Sequence, residues 1–244
     1  MHILVLDGSG ADGRLALVSA VAERPVLLGD LCVPGRGGAE RLAGQLRDLV
    51  AGAGWTMATI DLIAAIVGPG SFTGLRATLA LAHGLSLGSG GRLIGVTTGE
   101  ALRRTAAEQE LRRTAAQQAL RHTAGAQAPP IWCVTQARRG RIFLDRDPGG
   151  PVGCMLADLP RPERGAESGF VLLAGDASET VAATLAAAGV AAQALGIAHP
   201  DPLAIAGVAL DRLAGRLPPL VVQPLYVDPP EARPPASGLR PAPA

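Results

Sequence analysis

Lysine and asparagine do not occur in this 244-residue chain, and all 22 residues of the Lys+Arg class are arginine. Aromatic rings are scarce, at 2%: Trp55, Phe72, Trp132, Phe143, Phe170 and Tyr226. Without lysine, a Walker-type phosphate loop lacks the cation that reaches the β- and γ-phosphates, and Schiff-base chemistry is excluded. So few rings also argue against a row of stacked aromatics for single-stranded nucleic acid. The three cysteines, Cys32, Cys133 and Cys154, are odd in number and form no CxxC pair, which disfavours a disulfide framework or a zinc site and fits the reduced cytoplasm. Net charge is +1, so no overall field steers the chain to nucleic acid or a membrane. No apolar run approaches the roughly 18 residues of a membrane span, and the opening MHILVLDGSG reads as a strand rather than a signal peptide.

What is present reads as α/β. Residues 2–6 form a buried strand ending at Asp7, followed by a glycine-rich loop (Gly8, Gly10, Gly13) and two meander strands around Leu15–Val18 and Val26–Leu28. Helical spacing of Leu42, Leu46, Leu49 and Val50 marks a helix over 39–53. The apolar strand 61–67 runs into Gly68, Pro69, Gly70, Ser71, Phe72, Thr73 and Gly74, then a helix over 72–88 and a strand at 92–96. The first hundred residues therefore read β-β-β-α-β-α-β. A second α/β unit over 101–227 restarts the pattern at Ile131, with a turn at 137–140, a Pro/Gly-rich connector over 147–169, and helices over 178–189 and 202–214. The proline-dominated stretch 228–244 reads as an extended or disordered tail.

Residues 102–110 (LRRTAAEQE) recur as 111–119 (LRRTAAQQA), with a decayed third copy at 120–125. The composition is helical, over about 101–124. Nine residues turn a helix by about half a revolution, so Leu102, Leu111 and Leu120 alternate faces and the helix is expected to project partly into solvent. Arg103, Arg104, Arg112 and Arg113 form a local basic stripe, suited either to RNA phosphate or to a solvated face with Glu100, Glu108 and Glu110 nearby.

Three features bear on chemistry. The Gly68–Gly74 turn joins a buried strand to a helix. Its glycines permit a tight turn, Ser71 or Thr73 can cap the helix, and helix-start amides can hold an anion or simply close a packed junction. Asp7 with its loop (Ser9 included) is similar to the phosphate loop of actin-like ATPases, and equally to an ordinary hairpin. His2, His83, His122 and His199 are isolated, and no Ser/His/Asp set or carboxylate pair emerges from spacing.

The run IAAIVGPGSFTGLRATLALAHGLSLG…LIGVTTGEAL, with Arg76 in its core motif, resembles the TsaB (YeaZ) family, the non-catalytic partner of the bacterial tRNA threonylcarbamoyl transferase TsaD. Asp7 and Ser9 resemble the family's ILAIDTS opening. Residues 37–42 resemble its H-(S/A)-E-x-L segment, residues 137–143 its D-A-R-x-G-E-V-Y turn, Gly175–Ala177 a later glycine turn, and Pro224–Val227 its closing P-x-Y-L-R. The resemblance implies an actin/hexokinase-like (ASKHA) fold of two duplicated α/β lobes, with a first lobe at 1–100. It implies a scaffold and dimerisation subunit for N6-threonylcarbamoyladenosine formation beside the anticodon. The expected partners are a TsaD-like enzyme, a TsaE-like ATPase and, when alone, a second copy of the chain. Contact with tRNA is expected through the complex, and no membrane contact.

The resemblance also implies that metal and ATP belong to partner subunits and that the isolated chain binds no cofactor tightly. The catalytic subunit's histidine pair has no counterpart in Val96–Leu102. The expected pairing face comprises Ala77, Ala80, Leu81, Gly84, Leu85 and Gly88, with Leu42 and Leu46, though the same residues suit an internal core. Departures from the family pattern are Gly8 and Gly10 for threonines, Gly38 for histidine, and Gln136 and Arg141 for acids. The alternatives are an actin-fold ATP-dependent transferase or kinase, and a direct tRNA-binding module built on the arginine repeats. A peptidase is disfavoured, for want of metal ligands or a catalytic triad.

Overall fold

A computed structural model describes residues 1–21, 24–35, 38–118, 129–147, 149–161 and 170–227. The first meander comprises β1 (His2–Asp7), β2 (Gly13–Val21) and β3 (Arg24–Val33). Helix α1 (Gly38–Gly52) leads to β4 (Leu62–Gly68), α2 (Phe72–Ser89) and β5 (Arg92–Thr97). The sheet order is β3-β2-β1-β4-β5, antiparallel in the meander and parallel from β1 outward. Helix α3 (Thr98–Gln118) then crosses to a second unit.

That unit contains β6 (Ile131–Gln136), β7 (Arg141–Asp145), β8 (Pro151–Met155), β9 (Phe170–Ala174), α4 (Ser178–Ala187) and β10 (Ala191–Ala194), followed by α5 (Pro202–Leu213). Its sheet, β10-β9-β6-β7-β8, read from the other edge repeats the order of the first. The pairings repeat as well: two antiparallel, then two parallel. The molecule is thus a duplicated α/β fold of the actin/hexokinase-like kind.

The nearly continuous apolar runs of β1 and β4 follow from burial on both faces. Ile3, Val5, Leu62, Ala64 and Ile66 point to one side and pack on α5 through Ile205, Ala206, Val208 and Ala209. Leu4, Leu6, Ile63, Ala65 and Val67 point to the other, against Leu42, Leu46 and Val50 of α1 and Leu79 and Ala82 of α2.

Packing redraws the division expected at residue 100. Helix α5 covers the first sheet although it follows the second unit in the chain, and Leu220, Val222 and Leu225 also pack against the first lobe's core. Two strands, β8 and β10, arise where the sequence reads as connector or carries only alanines and glutamine. Among the described residues no helix is long and apolar enough to cross a membrane.

The first repeat copy packs one side against the body while Ala107 is exposed. Ala101, Leu102, Thr105 and Ala106 are buried, the last at 3% exposure, between α5 and the second sheet. The third copy at 120–125 and the tail 228–244 lie outside the described residues.

Candidate functional site

The Gly68–Gly74 turn is locked into its surroundings from three directions. The backbone N–H of Ser71 donates to the Ser9 carbonyl at 2.7 Å, the buried Thr98 hydroxyl donates to the Pro69 carbonyl at 2.8 Å, and Leu225 N–H donates to the Val67 carbonyl at 2.8 Å. Ser71 is the N-cap of α2, its Oγ accepting from Gly74 N–H at 3.3 Å, so Ser71 rather than Thr73 closes the helix start. The Gly68–Pro69 peptide is cis.

Asp7 is buried at 4% exposure, and its Oδ1 accepts from the N–H of Ser9 at 2.8 Å and from its hydroxyl at 2.6 Å. The carboxylate thus folds its own loop back onto the turn. A side chain at Gly8 would lie 2.5 Å from both the Gly74 carbonyl and Thr78 Oγ1. That contact accounts for glycine where the TsaB pattern has threonine: the two loops here meet backbone to backbone. The gap between Asp7, Arg14 and Pro202 is too narrow to admit a water molecule. A cavity of about 220 Å³ opens instead on the α1 and α2 side, lined by Gly8, Gly13, Val33, Leu42, Ser71 and Ala77 among others.

The structure divides the expected pairing face. Leu42 and Leu46, at 5% and 1% exposure, are core residues of the first lobe, which corrects their assignment to a surface. Leu81 and Leu85 are half-buried against that core, and Ala77 is half-buried beside the cavity. Ala80, Gly84 and Gly88 are exposed, with Leu87 beside them at 89% exposure. Among the described residues, an added Cβ at Gly84 or Gly88 would meet nothing within 4 Å, so no contact there requires either glycine. Each costs roughly 1 kcal/mol relative to alanine in a helix interior. The only charge on α2 is Arg76, whose guanidinium lies 3.8 Å over the Phe72 ring and donates through Nε to the Tyr226 hydroxyl at 2.8 Å. Sequence reading placed Phe72 and Arg76 in the signature but could not foresee their partner 150 residues away.

The arginines of the first repeat copy are engaged by carboxylates rather than presented to phosphate. Arg103 bridges Asp145 through both terminal nitrogens at 2.9 and 3.4 Å, and Arg104 pairs with Glu108 at 2.9 Å and with Asp211. These two residues are therefore corrected from open RNA contacts to internal ion pairs. The side chains of Arg112 and Arg113 lie outside the described residues. A further buried cation, Arg212 at 8% exposure, donates to the Gly95 carbonyl at 2.6 Å, the Pro218 carbonyl at 2.7 Å and the Glu100 carboxylate. Its spacing on α5 carries no functional signal, and sequence reading missed it.

Gly10 of the first lobe's loop lies against the His199 ring. Within the second lobe Asp176 accepts from the Gln136 N–H at 2.7 Å. Burial pushes the Asp176 carboxyl above its ordinary value, an effect moderated by that hydrogen bond and by His199. Burial likewise pushes the Cys133 thiol up to about 12, so it stays a neutral, unreactive core group. Among the described residues no group of three or more His, Cys, Asp or Glu side chains is placed to hold a metal ion.

Two lobes of one strand order, joined by α3, give the chain the actin/hexokinase-like fold. Residues 35–149 match the family model described as TsaD: tRNA N6-adenosine threonylcarbamoyltransferase. Among solved structures, the fold matches a Pseudomonas aeruginosa protein described as uncharacterized with similarity to peptidase YeaZ. The TM-score is 0.65 at 20% identity, over 93% of this chain and 99% of that one. It also matches YeaZ from Pseudomonas aeruginosa, at TM-score 0.61 and 21% identity over 92% and 99%. A comparison with curated proteins finds no match. A match to the TsaD model over 35–149 and a fold shared with YeaZ thus agree with the GPGSFTGLR resemblance.

Proposed function

We propose that this chain serves in tRNA N6-threonylcarbamoyladenosine modification as a non-catalytic scaffold. It pairs with a TsaD-like catalytic subunit in the cytoplasm, works beside a TsaE-like ATPase, and associates with itself when alone. The TsaD-family match and the YeaZ fold support the pathway. The observation that carries the scaffold role is the exposed stripe of α2: Ala80, Gly84, Leu87 and Gly88, apolar and small where the chain's own packing asks for neither. Such a stripe lets a second helix approach closely, ridge into groove. Chemistry, ATP and metal are assigned to the partners. Contact with tRNA is made through the assembled complex.

Reconstitution tests the proposal. Adding the chain to TsaD, TsaE and the enzyme that makes threonylcarbamoyl-adenylate should restore modification of ANN-decoding tRNA. Light scattering should find dimers of the isolated chain. Retained activity without it, or a strict monomer that does not copurify with TsaD, refutes the reading, and a tight Mg-ATP site in the isolated chain would return the kinase alternative. Deleting 111–119 separates scaffold from RNA-binding module: unchanged tRNA affinity and salt dependence keep the former.

A further inference from the structure

We propose that Arg103 and Arg104, neighbours on α3, form a double latch that fixes the angle between the two lobes. Successive helical residues project about 100° apart, so adjacent side chains can engage different bodies. Here they do. Arg103 reaches Asp145 on β7 of the second sheet, with Asp147 3.8 Å away. Arg104 reaches Asp211 on α5, the helix that covers the first sheet. One pair ties α3 to each lobe.

Both pairs rest on glycine. A side chain on Gly99 would collide with the Asp145 carboxylate, and one on Gly207 would lie 2.7 Å from the Arg104 guanidinium carbon. The Asp145 carboxylate side chain is only 6% exposed, which shields the pair from salt. Asp211 is held in turn by Arg216 at 2.8 Å, and Thr105, next on the helix, accepts from the N–H of Asp201, the N-cap of α5, at 2.9 Å. Apolar contacts flank the latch: Leu102 and Ala106 face Cys133, Ala174 and Ile197 of the second lobe, while Ala101 faces the first. Actin-like lobes joined only by apolar contact could rock about α3. Two oriented ion pairs, one to each side, oppose rotation in either sense.

The test measures the distance between spin labels at Asp48→Cys in the first lobe and Glu179→Cys in the second, in a Cys32→Ser, Cys154→Ser background. The parent should give one narrow distribution. Arg103→Met, Arg104→Met and the near-isosteric Asp145→Asn should each roughly double its width, as expected when a hinge is released. Gly207→Ala makes the sharpest distinction. Helix propensity alone predicts a stabilised protein with unchanged distances, whereas the latch predicts a broadened distribution. If Arg103→Met does not fold, Asp145→Asn and Gly207→Ala carry the measurement. Folded variants that keep the parental distribution overturn the proposal.

Discussion

The two sheets repeat one strand order but are covered unequally. In the first, β1 and β4 are sealed on both faces, by α1 and α2 on one side and α5 on the other, and no residue of β4 is exposed. In the second, α4 packs over Val134, Leu144, Val171 and Leu173, but the opposite face rests on one stretch of α3, where Leu102 and Ala106 meet Cys133, Ala174 and Ile197. Its edge strands β8 and β10 are half exposed. A shared topology therefore does not imply equal independence. The first lobe has a complete sandwich and leaves the outer side of α2 exposed, while the second borrows its cover from the joint.

Removing Arg212 should weaken the first lobe most. Arg212→Met leaves Glu100 without its buried cation and two carbonyls without donors, a loss of about 3–5 kcal/mol in urea unfolding. Leu102→Ala attacks the weaker partner. It should cost about 2–5 kcal/mol, and hydrogen exchange should rise in β6 and β9 while β1 and β4 stay protected. Uniform loss of protection would show that the lobes unfold as one. Gly84→Arg touches only the exposed stripe. Stability should stay level or rise by up to about 1 kcal/mol, while light scattering shows the proposed dimer lost.

The smallest effect concerns Asp176. Its folded pKa is raised by burial above the ordinary 3.8, so between those values the folded chain holds a proton that the unfolded chain has released. Its contribution is therefore greatest below that window and falls as pH rises through it. Asp176→Asn, which keeps an oxygen for the Gln136 N–H, should flatten that fall in a pH series of urea titrations.

Much of this was legible in order and kind. The apolar runs at 2–6 and 61–67, the helical spacing of Leu42, Leu46 and Val50, and the GPGSFTGLR turn located β1, α1, β4 and α2 within a residue, whereas β2 and β3 run three and five residues beyond the expected ends. What local pattern could not carry was who packs on whom. Leu42 looked equally suited to surface or core, because periodicity identifies an apolar face but not its partner. Helix α5 reads as the end of the second unit, yet its alanines and isoleucine fit the first sheet. The arginine pair looked like a basic stripe because its carboxylate partners, Asp145 and Asp211, lie 42 and 107 residues away. Tyr226 gave no hint that it would meet Arg76.

The glycine beneath Asp145 also settles a question of threading. A tandem repeat offers the joint two near-identical inserts, since LRRTAA occurs at 102–107 and again at 111–116. Sliding the second into place would bring Glu108 to the position of Gly99, against a carboxylate, and Glu110 to that of Ala101, which has no exposed surface. Both substitutions bury an unpaired negative charge. The joint thus discriminates by the three residues that precede the repeat and not by the repeat itself. A duplication arising downstream of Gly99 could enter the gene without offering the protein a second way to assemble.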